Sequence, residues 1–227
     1  MRKIMKKLLL IFIMLSLCLP VFAKDNDKQL IKKVSRYKNI RKAVKIMNNP
    51  VSKSSYSTII GQNPTNNVIN IKFMDLSKYG KQYNNFDALG WKNENKLAIY
   101  VNNKHKKECI YALSSLLAGM AIHIDDESSI NEEIYAFSLE GATWGYYLSK
   151  EPKLNQKKSK LIERENKLNK YYIKSPENAY YIRTLIENND AYVNSAKISN
   201  SYTDEELNTK LKKLYDTYME IGYITGF

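Results

Sequence analysis

Cysteine is nearly absent from this chain, and what there is cannot pair. Of two cysteines in 227 residues, Cys18 lies in the apolar N-terminal run and Cys109 stands alone beyond it. A disulfide framework is therefore excluded, and stability must come from packing. Histidine is equally sparse, at two residues, which excludes any centre built from three imidazoles. Eight glycines and five prolines form neither a phosphate-cradling loop nor a low-complexity linker. Past residue 23 no apolar run approaches the roughly 20 residues that span a bilayer. Acid is the scarcer charge: 23 Asp and Glu stand against 36 Lys and Arg, a formal net charge of +13.

What is present begins with MRKIMKKLLLIFIMLSLCLPVFA, a basic start followed by a twelve-residue apolar run from Leu8 to Leu19. This pattern predicts a signal peptide over residues 1–23, with export to a periplasmic or extracellular location and no stable transmembrane insertion once it is cut after Ala23. Retention of the segment as an anchor stays open. A lipid attachment at Cys18 is disfavoured, because Leu17 stands where a small residue is wanted. Residues 24–227 read as a single domain. The leader takes Arg2, Lys3, Lys6 and Lys7 and no acid with it, so the +13 falls by four to +9. Such charge invites an anionic envelope component. The lysines are spread along the chain and no nucleic-acid motif accompanies them, so no nucleic-acid partner is expected.

The periodicity predicts an α+β fold, mostly helical, with a small antiparallel sheet followed by a helical bundle. A basic amphipathic helix is expected over Lys28–Asn49, with Ile31, Val34, Ile40, Val44 and Met47 on one face and Pro50 closing it. Thr58–Gly61 reads as a short apolar strand and Val68–Phe73 alternates as a second. Asp87–Trp91 and Lys96–Asn102 read as hairpin arms around the turn Asn93-Glu94-Asn95. Helices follow over Lys107–Ile124, from a cap at Ser129 to Pro152, over Asn155–Tyr172, from Ser175-Pro176 to Asn188, and after a Thr203/Glu206 cap. Cys109 is expected to pack as a small apolar residue and His105 to sit solvated in a basic surface turn.

The stretch LLAGMAIHIDDESSINEEIYA, Leu116 to Ala136, carries the candidate site. A zinc peptidase of the His-Glu-x-x-His type places two imidazoles one helical turn apart, with a glutamate after the first as general base and a third ligand on the next helix. With His123 as the second histidine, the first falls on Gly119 and the base on Met120. Asn131-Glu132-Glu133-Ile134-Tyr135-Ala136 is similar to the third-ligand helix of the gluzincin metallopeptidases. The segment Lys96–Trp144 thus resembles a zincin-like domain whose catalytic position, Met120, is degenerate.

That resemblance implies vestigial metal ligands at His123 and Glu133, with Glu132 spent on the capping box. It also implies a binding cleft bordered by the strand residues Leu97, Ile99 and Val101 together with Gly119 and His123. No cofactor is expected; zinc is the one metal the residual ligands leave open, with Asp126 or Glu127 as a third donor. The function it implies is that of a catalytically inactive metallopeptidase-like protein gripping a peptide by edge pairing along Leu97–Val101. Three readings stand beside this one. The protein is a basic helical module binding an anionic envelope component; or an active zinc peptidase with an atypical ligand set; or His123, Met120, Glu132 and Glu133 are ordinary structural residues, the histidine hydrogen-bonded to a neighbour.

Overall fold

The computed structural model describes residues 26–63, 65–93, 96–123, 129–189, 192 and 202–222. The basic segment expected as one helix is two, α1 (residues 26–34) and α2 (Lys38–Ile46). The break falls at buried Ser35, whose hydroxyl donates to the Ile71 carbonyl at 2.7 Å while its own carbonyl accepts from Arg41 at 2.8 Å. Both groups are thereby drawn out of the helical ladder. The apolar face survives the break, since Val34, Ile40, Val44 and Met47 are fully buried.

The strand expected over Thr58–Gly61 is instead the end of helix α3 (Lys53–Ile59). The Asn49 side chain accepts from the Val51 and Ser52 amides at 3.0 and 3.1 Å, which turns the chain after Pro50 into helix. Tyr56, Ile59 and Ile60 then fall on one face and are all buried. A strand would have sent Ile59 and Ile60 to opposite faces.

Strands β1 (Asn70–Met74), β2 (Ala88–Asn93) and β3 (Lys96–Asn102) form one sheet in the order β1-β3-β2. The β2/β3 hairpin is antiparallel, as expected, with the turn residues 94–95 outside the described residues. β1 runs parallel to β3, Ile71 beside Ile99 and Phe73 beside Val101, so the sheet is mixed and not purely antiparallel. The alternation of β1 shows which face is buried; it carries no information on strand direction.

Further helices among the described residues are α4 (Ile110–Met120), α5 (Ile130–Lys150), α6 (Lys160–Lys174), α7 (Tyr180–Glu187) and α8 (Asp204–Glu220). Each of four begins at a side-chain cap. Cys109 Sγ accepts from the Ala112 amide, the Ser129 and Ser159 hydroxyls accept from Glu132 and Ile162, and Thr203 with Glu206 closes a full capping box. Cys109 packs half-buried against the core, as expected, but as the cap at the helix start and not one turn in. The caps also place α4 and α6 later than the apolar pattern alone suggests, because Pro152–Gln156 forms a 3-10 turn before α6. α5 is the axle of the bundle: α4, α6, α7 and α8 all pack on it, and its Ile134, Trp144 and Ala142 are fully buried. The fold is α+β and mostly helical. No helix among the described residues is long and apolar enough to cross a membrane.

Candidate functional site

A cleft of about 450 Å³ opens between the segment leading into β2, the C-terminal end of α4 and the first turns of α5. Two glycines set its width. At Gly90 an added Cβ would lie 2.1 Å from the His123 carbonyl oxygen, so only glycine lets β2 close on the turn after α4. At Gly119 an added Cβ would lie 3.0 Å from the Ala136 carbonyl and 3.3 Å from Glu140 Oε2. The position matching a first histidine is therefore no empty notch: α5 and its Glu140 carboxylate pack against it. Met120, placed by its spacing on the core stripe, is half-buried and lines the cleft.

His123 follows the end of α4 and points between two carboxylates of α5. Its Nδ1 is 2.5 Å from Glu132 Oε1, and its Nε2 is 3.5 Å from Glu133 Oε2. Ser129 accepts from the Glu132 amide at 3.1 Å, so the cap forms while the Glu132 carboxylate serves the imidazole. An ionised carboxylate only accepts, which makes Nδ1 the donor in this pair. The arrangement resembles the support that carboxylates give metal-bound histidines, where one ring nitrogen is oriented and the other faces the ion.

The residues nevertheless do not fit a catalytic zinc. Bonds near 2 Å let one ion bridge two atoms 3.5 Å apart, but a catalytic centre takes three protein ligands. Among the described residues no group of three His, Cys, Asp or Glu side chains is placed to hold a metal. Asp126 and Glu127 lie outside the described residues. A methionine at 120 cannot act as a general base.

The strand expected to border the cleft is corrected. β3 is the middle strand, with β1 on one edge and β2 on the other, so it cannot accept a further strand. Leu97, Ile99 and Val101 are buried in the core. The cleft is bordered by β2 and the residues before it. There the Asp87 carbonyl accepts from the Asn102 amide at 2.8 Å. Antiparallel alternation then turns the peptide groups of Ala88 and Gly90 away from β3, to the outer edge of the sheet. Gly119 and His123 do line the cleft.

The far wall is a charge network that periodicity did not reveal. Arg164 of α6 binds both carboxylate oxygens of Glu140, with Nη2 2.9 Å from Oε2. It also reaches Glu165 at 3.1 Å and Asp87 at 3.3 Å. His105, far from solvated, is 1% exposed with Nε2 2.7 Å from Asp87 Oδ1, where Lys104 also arrives at 2.9 Å. Burial pushes the Asp87 carboxyl up, but the His105 bond and the Arg164 and Lys104 charges outweigh it and hold the group well below the usual carboxylate range. Glu165 goes the other way. Complete burial and the neighbouring Glu140 charge raise its carboxyl well above the usual range, and Arg164 offsets only part of that. One signal was present in the sequence: Glu133, Phe137 and Glu140 recur at helical spacing on one face of α5 and together floor the cleft.

No family model, no curated protein and no solved structure matches the chain.

Proposed function

We propose that this is an exported, catalytically inactive metallopeptidase-like protein that acts by binding an extended peptide in the cleft between β2 and α5. The observation that carries the reading is the convergence of His123, Glu132 and Glu133 beside an outward-facing strand edge, while the positions for a first histidine and a general base hold Gly119 and Met120. Edge pairing supplies backbone hydrogen bonds irrespective of peptide sequence, and the cleft floor selects the side chain that points into it. Two ligand candidates and no base at Met120 among the described residues support binding over turnover.

The test is to incubate the purified protein with a library of unstructured peptides, following binding by fluorescence anisotropy, cleavage by mass spectrometry and bound zinc by elemental analysis. Peptide retention without cleavage or stoichiometric zinc is expected. Chelator-sensitive cleavage would establish an active peptidase with an atypical ligand set. A basic envelope-binding module is the second reading, favoured by a shallow groove of about 520 Å³ where Lys38, Lys42 and Lys106 surround Tyr37 and Phe73. Retention of anionic polymer with no peptide retained would establish that module instead.

A further inference from the structure

The cleft opposes the rest of the molecule in charge. The chain carries +13 overall, yet the lining holds the carboxylates of Asp87, Glu132, Glu133 and Glu140; Arg164 pairs with Glu140 and Asp87, and Lys104 and His105 also reach Asp87, so the acidic character lies at the Glu132–Glu133 end. A protein that needed only apolar grip would not concentrate its scarcer charge there. A general anion binder would do the reverse.

We infer that the cleft selects peptides with a lysine or arginine side chain, an inference that rests on the peptide-binding reading and names its ligand class. An extended segment paired beside Ala88 presents alternate side chains to the floor made by Glu133, Phe137 and Glu140. Glu133 stands 3.5 Å from His123, a looser contact than that of Glu140, which is taken up by both arms of Arg164. The apolar stem of an incoming cationic side chain meets an aromatic cluster. Phe137 and Tyr192 stand edge to face at 5.3 Å, and Phe86 stacks on Tyr192 at 6.4 Å. The wall already shows how it receives such a group. Arg164 lies over the Phe137 ring at 5.1 Å while its head binds carboxylates, which is the carboxylate-and-ring environment a peptide guanidinium or ammonium would meet. The charge of the cleft also steers a cationic segment inward past an otherwise repulsive basic surface.

The test uses the purified protein and four labelled probes at low and moderate salt: unstructured octapeptides identical except for a central Lys, Ala or Glu, and a linear polyamine. The Lys peptide is expected to bind about tenfold more tightly than the Ala peptide, more tightly still than the Glu peptide, and with the preference shrinking as salt rises. Glu133→Gln, which keeps the shape of the side chain, should lower Lys-peptide affinity severalfold and shrink the ratio of Lys-peptide to Ala-peptide affinity. Equal affinity for Lys and Ala peptides, or an unchanged preference in Glu133→Gln, overturns the charge selection while peptide binding stands. Equal competition by the polyamine overturns the peptide as ligand in favour of a free cation. Failure of every peptide to bind overturns both this inference and the reading beneath it.

Discussion

Replacing Arg164 by methionine removes the cation that joins Glu140, Glu165 and Asp87 in the far wall of the cleft. Methionine keeps most of the stem that lies against Phe137, so the change deletes charge more than volume. Glu140 is 3% exposed and gives both oxygens to Arg164, so it loses its cationic partner. Asp87 keeps Lys104 and His105. Removing one member of a buried pair typically costs about 3–5 kcal/mol, because a desolvated charge is left uncompensated. For a domain of this size each kcal/mol moves the melting midpoint by about 2–4 °C, so a fall of roughly 6–20 °C is expected. The assay is denaturant unfolding at pH 7 and again at pH 4, together with the companion Arg164→Met/Glu140→Gln. Acid neutralises the stranded carboxylates, so the loss should shrink at pH 4, and the companion should recover much of it at pH 7. A loss under about 1 kcal/mol, the range of an exposed ion pair, or a loss indifferent to pH, would refute the account of this wall as a buried network.

Three further outcomes follow from the same geometry. Glu165 has a folded-state value above its unfolded one, so its favourable contribution is full below the ordinary value of 4.5 and declines as pH rises towards the raised value; Glu165→Gln should flatten that part of the stability profile, and unchanged slopes between pH 5 and 9 would count against it. Gly90→Ala forces a methyl against the His123 carbonyl and should cost about 1–3 kcal/mol in unfolding experiments. The double change Gly119→His and Met120→Glu drives an imidazole against the Ala136 carbonyl and Glu140, so it should lower stability in unfolding experiments and leave zinc content unchanged; stoichiometric zinc would show that α5 gives way and that a ligand geometry is inherited.

Much of the helical frame was legible because caps and apolar spacing are local. Ser129, Thr203 with Glu206, and the alternation of Leu97, Ile99 and Val101 each act through neighbours in sequence. Strand direction and position within the sheet depend on partners far along the chain, so β3 was read as a border when it is the middle strand. Ile59 and Ile60 fit two periods equally well over so short a span, and the Asn49 turn decided for helix. At the site, a contact between His123 and Glu133 could be read because few residues separate them in sequence, whereas Glu132, expected to serve the cap, is the closer partner. The Asp87, His105, Glu140 and Arg164 network could not, since its members come from four separate elements and a lone histidine among lysines looks solvated.

The most direct test of peptide capture at β2 is hydrogen exchange of the whole protein with and without a bound Lys-containing peptide. Pairing along the outer edge predicts slowed exchange confined to the amides of residues 85–90 and the facing turns of α5. Slowing around Tyr37, Lys42 and Lys106, with β2 unchanged, would contradict it.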